Sequence, residues 1–231
     1  MRVRALVAAL TAAAAAAPAA SAAPRVQQIV VFRDGAAVQK RTGTGAARVT
    51  VGRRRCTVGD ATALAGLARS HVGRLRIRDF GACSLRPRDA SGLIVTGIRD
   101  NRNRGQRGWV YKVGRRAATA GAADMAGPFG SGRLRAGQRI TWFYCVRAGD
   151  CQRTLAVRAA VVSGGILAAV RGYDDAGDGV PVEGASVTAS GMTGVTGADG
   201  TVELALPPGT HRVVARKDGL VRSFAERVEV P

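Results

Sequence analysis

Residues 105–116 read GQRGWVYKVGRR, and residues 139–145 read RITWFYC. In the first stretch Trp109, Tyr111 and Val113 alternate with Val110 and Lys112. In the second, Ile140, Trp142 and Tyr144 alternate with Thr141, Phe143 and Cys145. Side chains two apart share one face of a strand, so each stretch reads as a strand with its rings on one side. Aromatic residues make up 4% of the chain, yet both Trp and two of the three Tyr fall here. Rings bury a large apolar area on few residues, so the first expectation is the core of a small domain. Two other readings stay open. The rings could stack bases in a basic groove, or Trp109, Tyr111 and Trp142 could line a shallow ligand face with their polar tips outward.

The surrounding sequence sets these strands in a mixed domain. RVTVGRRRCTVGDATALAGLARSHV (48–72) opens on a strand in which Val49 and Val51 alternate with polar residues. Asp60 then stands where an N-cap belongs, ahead of a helix with Leu64, Leu67, Ala68 and His71 on one face. GLIVTGI (92–98) reads as a further strand. One helix packed on an antiparallel β-sheet is an α+β arrangement. The last part of the chain has a different grammar. TVELAL (201–206), HRVVAR (211–216) and RVEV (227–230) alternate as half-buried strands, and Asp199-Gly200, Pro207-Pro208-Gly209 and Asp218-Gly219 supply turns between them. Short strands at this spacing predict an all-β sandwich. The charge changes at the same place. Residues 24–163 hold 27 basic and 7 acidic side chains, whereas residues 164–231 hold 6 and 9. A step from +20 to −3 marks a boundary between two domains, 24–163 and 164–231.

The N-terminus indicates the compartment. Arg2 and Arg4 precede an apolar run from Ala5 to Ala17, and Ala20-Ser21-Ala22 follows. This is the pattern of a signal peptide over residues 1–22, which predicts a secreted or extracytoplasmic protein. The run is too short to cross a bilayer, and no transmembrane segment is expected. Four cysteines in an exported chain read as two disulfides. Three pairings are possible. Cys56–Cys83 and Cys145–Cys151 are favoured because each pair brackets one local segment. Closing the loop from Cys56 to Cys83 contributes about 3–4 kcal/mol in the chain-entropy account. The spacing of CVRAGDC is too wide for a zinc pair, and no metal or other cofactor is expected.

Two resemblances follow from longer motifs. GDGVPVEGASVTASGMTGVTGADGTVELALPPGTHRVVARKDGLVRS resembles a carboxypeptidase regulatory-like domain of transthyretin type, through G-x-P-V-x-G-A-x-V, G-x-D-G, L-P-P-G-T and the final K-x-G. It implies a sandwich module that acts as a spacer or surface unit of secreted proteins. VGDATALAGL, GWVYKVG and RLRAGQRITWFYC resemble the transcobalamin-like C-terminal domain over about residues 46–157. That domain also occurs alone in exported bacterial proteins. In the animal carriers it caps a ligand held mainly by a helical barrel. No such barrel is encoded here, so cobalamin is not carried over as a partner.

The remaining signals bear on function. IRDNRNRGQRG (98–108) places Arg102, Arg104 and Arg107 in a loop between strands. Its plain reading is a flexible, solvated charge run; its functional reading is a contact for an anionic surface. Nucleic acid is not expected as a partner of an exported, disulfide-bonded chain. YDDAGDG (173–179) lacks the order of a calcium loop and reads as a turn. His71 is expected to pack on the helix. No nucleophile–base pair or catalytic motif is visible. The sequence thus predicts a non-catalytic, exported binding or cell-surface protein. Its ligand would be an anionic envelope polymer or a small molecule, bound through Trp109, Tyr111, Trp142, Arg102, Arg104 and Arg107. The alternatives are a purely structural envelope component and, less favoured, an enzyme accessory subunit.

Overall fold

In the computed structural model the described residues are 22–147 and 149–231. The expected leader lies outside them except for its last position. The described chain is mostly β. Strands β1 (Arg25–Val31) and β2 (Ala37–Gly43) form a first hairpin, and β3 (Ala47–Val51) and β4 (Arg54–Val58) a second. The helix α1 (Ala63–Arg69) follows, then β5 (Leu75–Asp79), a 3₁₀ turn over Pro87–Gly92, β6 (Leu93–Ile98) and β7 (Asn101–Arg102). The two aromatic strands are β8 (Gly108–Val113) and β10 (Arg139–Cys145), with the short β9 (Arg116–Ala117) between them. After these come β11 (Thr154–Val162), β12 (Gly165–Tyr173), β13 (Gly179–Pro181), β14 (Ser186–Ala189), β15 (Met192–Val195), β16 (Thr201–Ala205), β17 (Gly209–Arg216) and β18 (Glu226–Val230).

The central sheet has the order β2-β1-β10-β8-β9. β10 pairs antiparallel with β8, Trp142 opposite Tyr111, and parallel with β1, Val30 opposite Trp142. The expected purely antiparallel sheet is therefore corrected to a mixed one. Its middle strand is β10, and the parallel partner β1 comes from a segment that carried no expectation. Residues 105–116 raise the question of whether the face behind the rings is wet. It is not, because both faces of the sheet are covered. Val26, Val30, Tyr111, Ile140 and Trp142 face one core with Leu64, Leu67 and Leu93. Ile29, Val31, Phe143 and Cys145 face another, closed by Val221 and Phe224 from the far end of the chain. This double burial is why every residue of β10 after Arg139 is buried.

Three expectations about the elements change. The N-cap is Thr62, not Asp60: its side chain accepts from Ala65 N–H at 3.2 Å, while Ala61 takes a left-handed φ of 52°. The helix stops at Arg69, and His71 is exposed with φ of 50° rather than packed on the helix face. A residue in that conformation cannot continue a right-handed helix. The boundary at 163/164 also shifts. β11 and β12 form one hairpin around Ser163-Gly164, with Thr154 opposite Tyr173 and Val162 opposite Gly165. Leu155 and Val157 of β11 sit in the same core as Ile166, Val187 and Val213. β11 thus belongs with the C-terminal strands. The charge step misplaced the boundary because Ala156, Arg158 and Ala160 lie on the outward face and say nothing of the inward one.

Two four-stranded sheets enclose that C-terminal core. One joins β11, β12 and β13 with β16, which also pairs with β12; the other has the order β15-β14-β17-β18. The expected turn at Asp199-Gly200 is present. Gly200 has φ of 77°, and a Cβ there would stand 2.7 Å from Val170 O, so both conformation and space demand glycine.

Candidate functional site

The rings of the aromatic strands form one cluster. Tyr111 stacks on Trp142 with centroids 4.9 Å apart. Trp109 meets Phe32 and Tyr144 edge to face, at 5.9 and 6.1 Å. All three predicted rings are nearly buried: Trp142 is 1% exposed, Trp109 7% and Tyr111 8%. The core expectation for them is the one met by position. Trp109 Nε1–H donates to Asn101 O at 2.8 Å, and Tyr111 O–H donates to Ala120 O at 2.9 Å. Burial, with a smaller contribution from Asp124, pushes the Tyr111 phenol well above its usual value. Trp142 Nε1–H is buried and has no partner among the described residues. Leaving such a donor unpaired costs about 1–3 kcal/mol.

The same three rings border a cavity of about 390 Å³, with Leu93, Val95, Ala118 and Ala122. Val110 and Lys112, from the opposite face of β8, line it as well. A cavity that touches both faces of a strand wraps around its edge, and β9 covers that edge only at Lys112 and Val113. The polar end of the cavity is Lys112 with Asp175. Lys112 Nζ lies 3.0 Å from Asp175 Oδ1 and donates to Tyr173 O at 3.1 Å and Asp174 O at 2.8 Å. Burial pulls the Lys112 ammonium below its ordinary value, and Asp175 offsets part of that shift. The Asp turn therefore serves as a lysine cap. Asp174 Oδ1 also accepts from Gly177 N–H and Asp178 N–H, as the turn reading requires.

The basic loop does not join the rings in one site. Arg102, Arg104 and Arg107 are exposed, and no ion pair among the described residues involves them. The loop is held through its asparagines. Asn103 Oδ1 accepts from Trp109 N–H, and Asn101 Oδ1 from Arg33 N–H, both at 3.0 Å. Those residues were missed in sequence, since an Asn between arginines looks the same whether it bonds water or a strand. The cysteines pair as favoured, Cys56 with Cys83 and Cys145 with Cys151.

One nucleophile–base pair exists that the sequence did not reveal. Ser190 Oγ lies 2.8 Å from His211 Nδ1, and His211 Nε2 lies 2.8 Å from Pro207 O. A carbonyl can only accept, so Nε2 carries the proton and Ser190 donates to Nδ1. Ser190, with Gly191, forms the tight turn between β14 and β15, at φ of 46° and 86°. His211 is buried in β17, so the pair reads as a pin that holds the turn on that strand. Among the described residues no helix is long and apolar enough to cross a membrane. Comparison with known proteins returned no match to a protein-family model, a curated protein or a solved structure.

Proposed function

We propose that this chain is an exported binding protein whose first unit takes a small, largely apolar ligand. The observation that carries this reading is the cavity of about 390 Å³ bordered by Trp109, Tyr111 and Trp142. Its size falls within the roughly 300–1,000 Å³ of small-molecule sites, which combine apolar walls with a few polar groups. The unpaired Trp142 Nε1–H is a donor that a ligand oxygen could satisfy. The two disulfides support an extracytoplasmic setting. In this reading the first unit is an α+β module of the transcobalamin C-terminal type. The second is a β-sandwich of the carboxypeptidase regulatory type, serving as a spacer. Cobalamin is not proposed as the ligand. The burial of the three rings favours a second reading, a purely structural envelope component.

One experiment separates them. The neutral aromatic probe N-phenyl-1-naphthylamine is titrated against the full chain while Trp emission and probe emission are followed. Saturable one-to-one binding with Trp quenching is expected. Ala118→Leu fills the cavity and should abolish binding while circular dichroism and thermal midpoint are retained. Absence of saturable binding by this probe and by a panel of neutral aromatic compounds leaves the structural reading.

A further inference from the structure

β11 is an edge strand of the C-terminal unit, and its free edge faces arginines. β11 is hydrogen-bonded to a neighbouring strand, β12, along one side only. On its other side Leu155 N–H donates to Val221 O at 2.8 Å, beside an isolated bridge between Thr154 and Val221. Beyond that point no strand among the described residues pairs with it. Backbone N–H groups alternate in direction along a strand, so those of Val157, Ala159 and Val161 point the same way as that of Leu155. A groove of about 560 Å³ runs here, and β11 lines it with every residue from Thr154 to Ala159. Consecutive residues from both faces line a groove together where a strand presents its edge.

The facing wall holds Arg115, Arg139, Phe224, Glu226 and Arg227. Glu226 is already gripped by Nη1 and Nη2 of Arg139, each donating to one carboxylate oxygen. No ion pair among the described residues involves Arg115, Arg158 or Arg227. Arg115 lies over the Tyr173 ring at 4.4 Å, a contact that leaves its charge free.

We propose that this edge accepts an extended acidic peptide segment as an added β-strand. Its backbone would pair with Val157, Ala159 and Val161, and its carboxylates with Arg115, Arg158 and Arg227. The charge selects the occupant. A second copy docking edge to edge through β11 brings the same cations together, and like charges across paired strands repel. A charged side chain on an exposed edge is a common guard against self-association. An acidic strand turns that guard into an attraction. The site is separate from the aromatic cavity and does not depend on it.

The test uses the full chain and a fluorescein-labelled nine-residue peptide alternating Glu and Val, matched to the nine residues of β11. The Glu peptide should bind at low salt, and its Lys counterpart should not. Methylating alternate backbone nitrogens of the peptide should weaken binding by about tenfold or more. Ala159→Pro removes an outward N–H and leaves the bonds to β12 in place, as edge strands tolerate. This variant should keep its β spectrum and lose the peptide. Should it fail to fold, the exposed pair Arg115→Glu and Arg158→Glu carries the same expectation. No binding of the Glu peptide overturns the proposal. So does equal binding of the methylated peptide and displacement by dextran sulfate, since that result means a groove for polyanions and not a strand acceptor.

Discussion

At the scale of the residue, Trp109 and the arginines beside it make opposite predictions although they share one short stretch. Trp109 is 7% exposed, touches two rings and donates its ring N–H to Asn101 O. Trp109→Ala leaves a void in the core and is expected to cost about 3–5 kcal/mol. Changing Arg102, Arg104 and Arg107 together to Gln removes exposed charges without ion-pair partners, so stability should stay within about 0.5 kcal/mol per site. Denaturant unfolding of both variants checks this. A stable Trp109→Ala would place that ring outside the core and return it to the ligand-face reading. The alternation of Trp109, Tyr111, Trp142 and Tyr144 was legible in the sequence because strand periodicity is local. The bonds from Asn101 and Asn103 were not, since they depend on which strand the loop folds against.

At the scale of the element, the hairpin of β11 and β12 decides where the second unit begins. β11 supplies Leu155 and Val157 to the core and pairs with the whole length of β12. A fragment beginning at residue 165 loses those side chains and exposes one edge of β12. It should show no cooperative unfolding transition. A fragment of residues 152–231 keeps both and should unfold cooperatively with a β spectrum. Cooperative folding of the shorter fragment would show that β11 is dispensable. The strands from Thr201 onward were readable because Asp-Gly and Pro-Gly turns bracket clean alternations. β11 was not, because its Arg158 extended the basic count of the preceding segment.

At the scale of the whole molecule, the two units are locked by a buried lysine and an apolar cluster. Lys112, 1% exposed, reaches from β8 to the carbonyls of Tyr173 and Asp174 and to Asp175. Gln39 and Ala225 also bond across the junction, Ala225 N–H donating to Gln39 Oε1 at 2.8 Å. Lys112→Met leaves these acceptors unpaired and should cost about 1–3 kcal/mol. The pH dependence gives the sign. Burial lowers the proton affinity of Lys112 in the folded chain. Between that lowered value and the ordinary value of 10.5, the unfolded chain holds a proton that the native state has released. Stability contributed by this group therefore rises with pH across that window. The stability difference between wild type and Lys112→Met should grow in favour of wild type as pH approaches 10.5. A difference that is flat or shrinks would mean that Lys112 is not desolvated at the junction.

The sequence by itself determined the β grammar, the aromatic strands and the turns of the C-terminal sheets, and it favoured the pairing of neighbouring cysteines. Each of these is written in residues close together in the chain, where periodicity, loop closure and glycine conformation act. The tertiary structure decided the rest: β1 as the parallel partner of β10 in a mixed sheet, the burial of both faces of β10, the lysine bridge to residues 173–175 and the open edge of β11. These follow from partners about 60 to 120 positions apart. No local pattern specifies them, because a strand's second neighbour and the cover on its second face are chosen only when distant apolar surfaces meet.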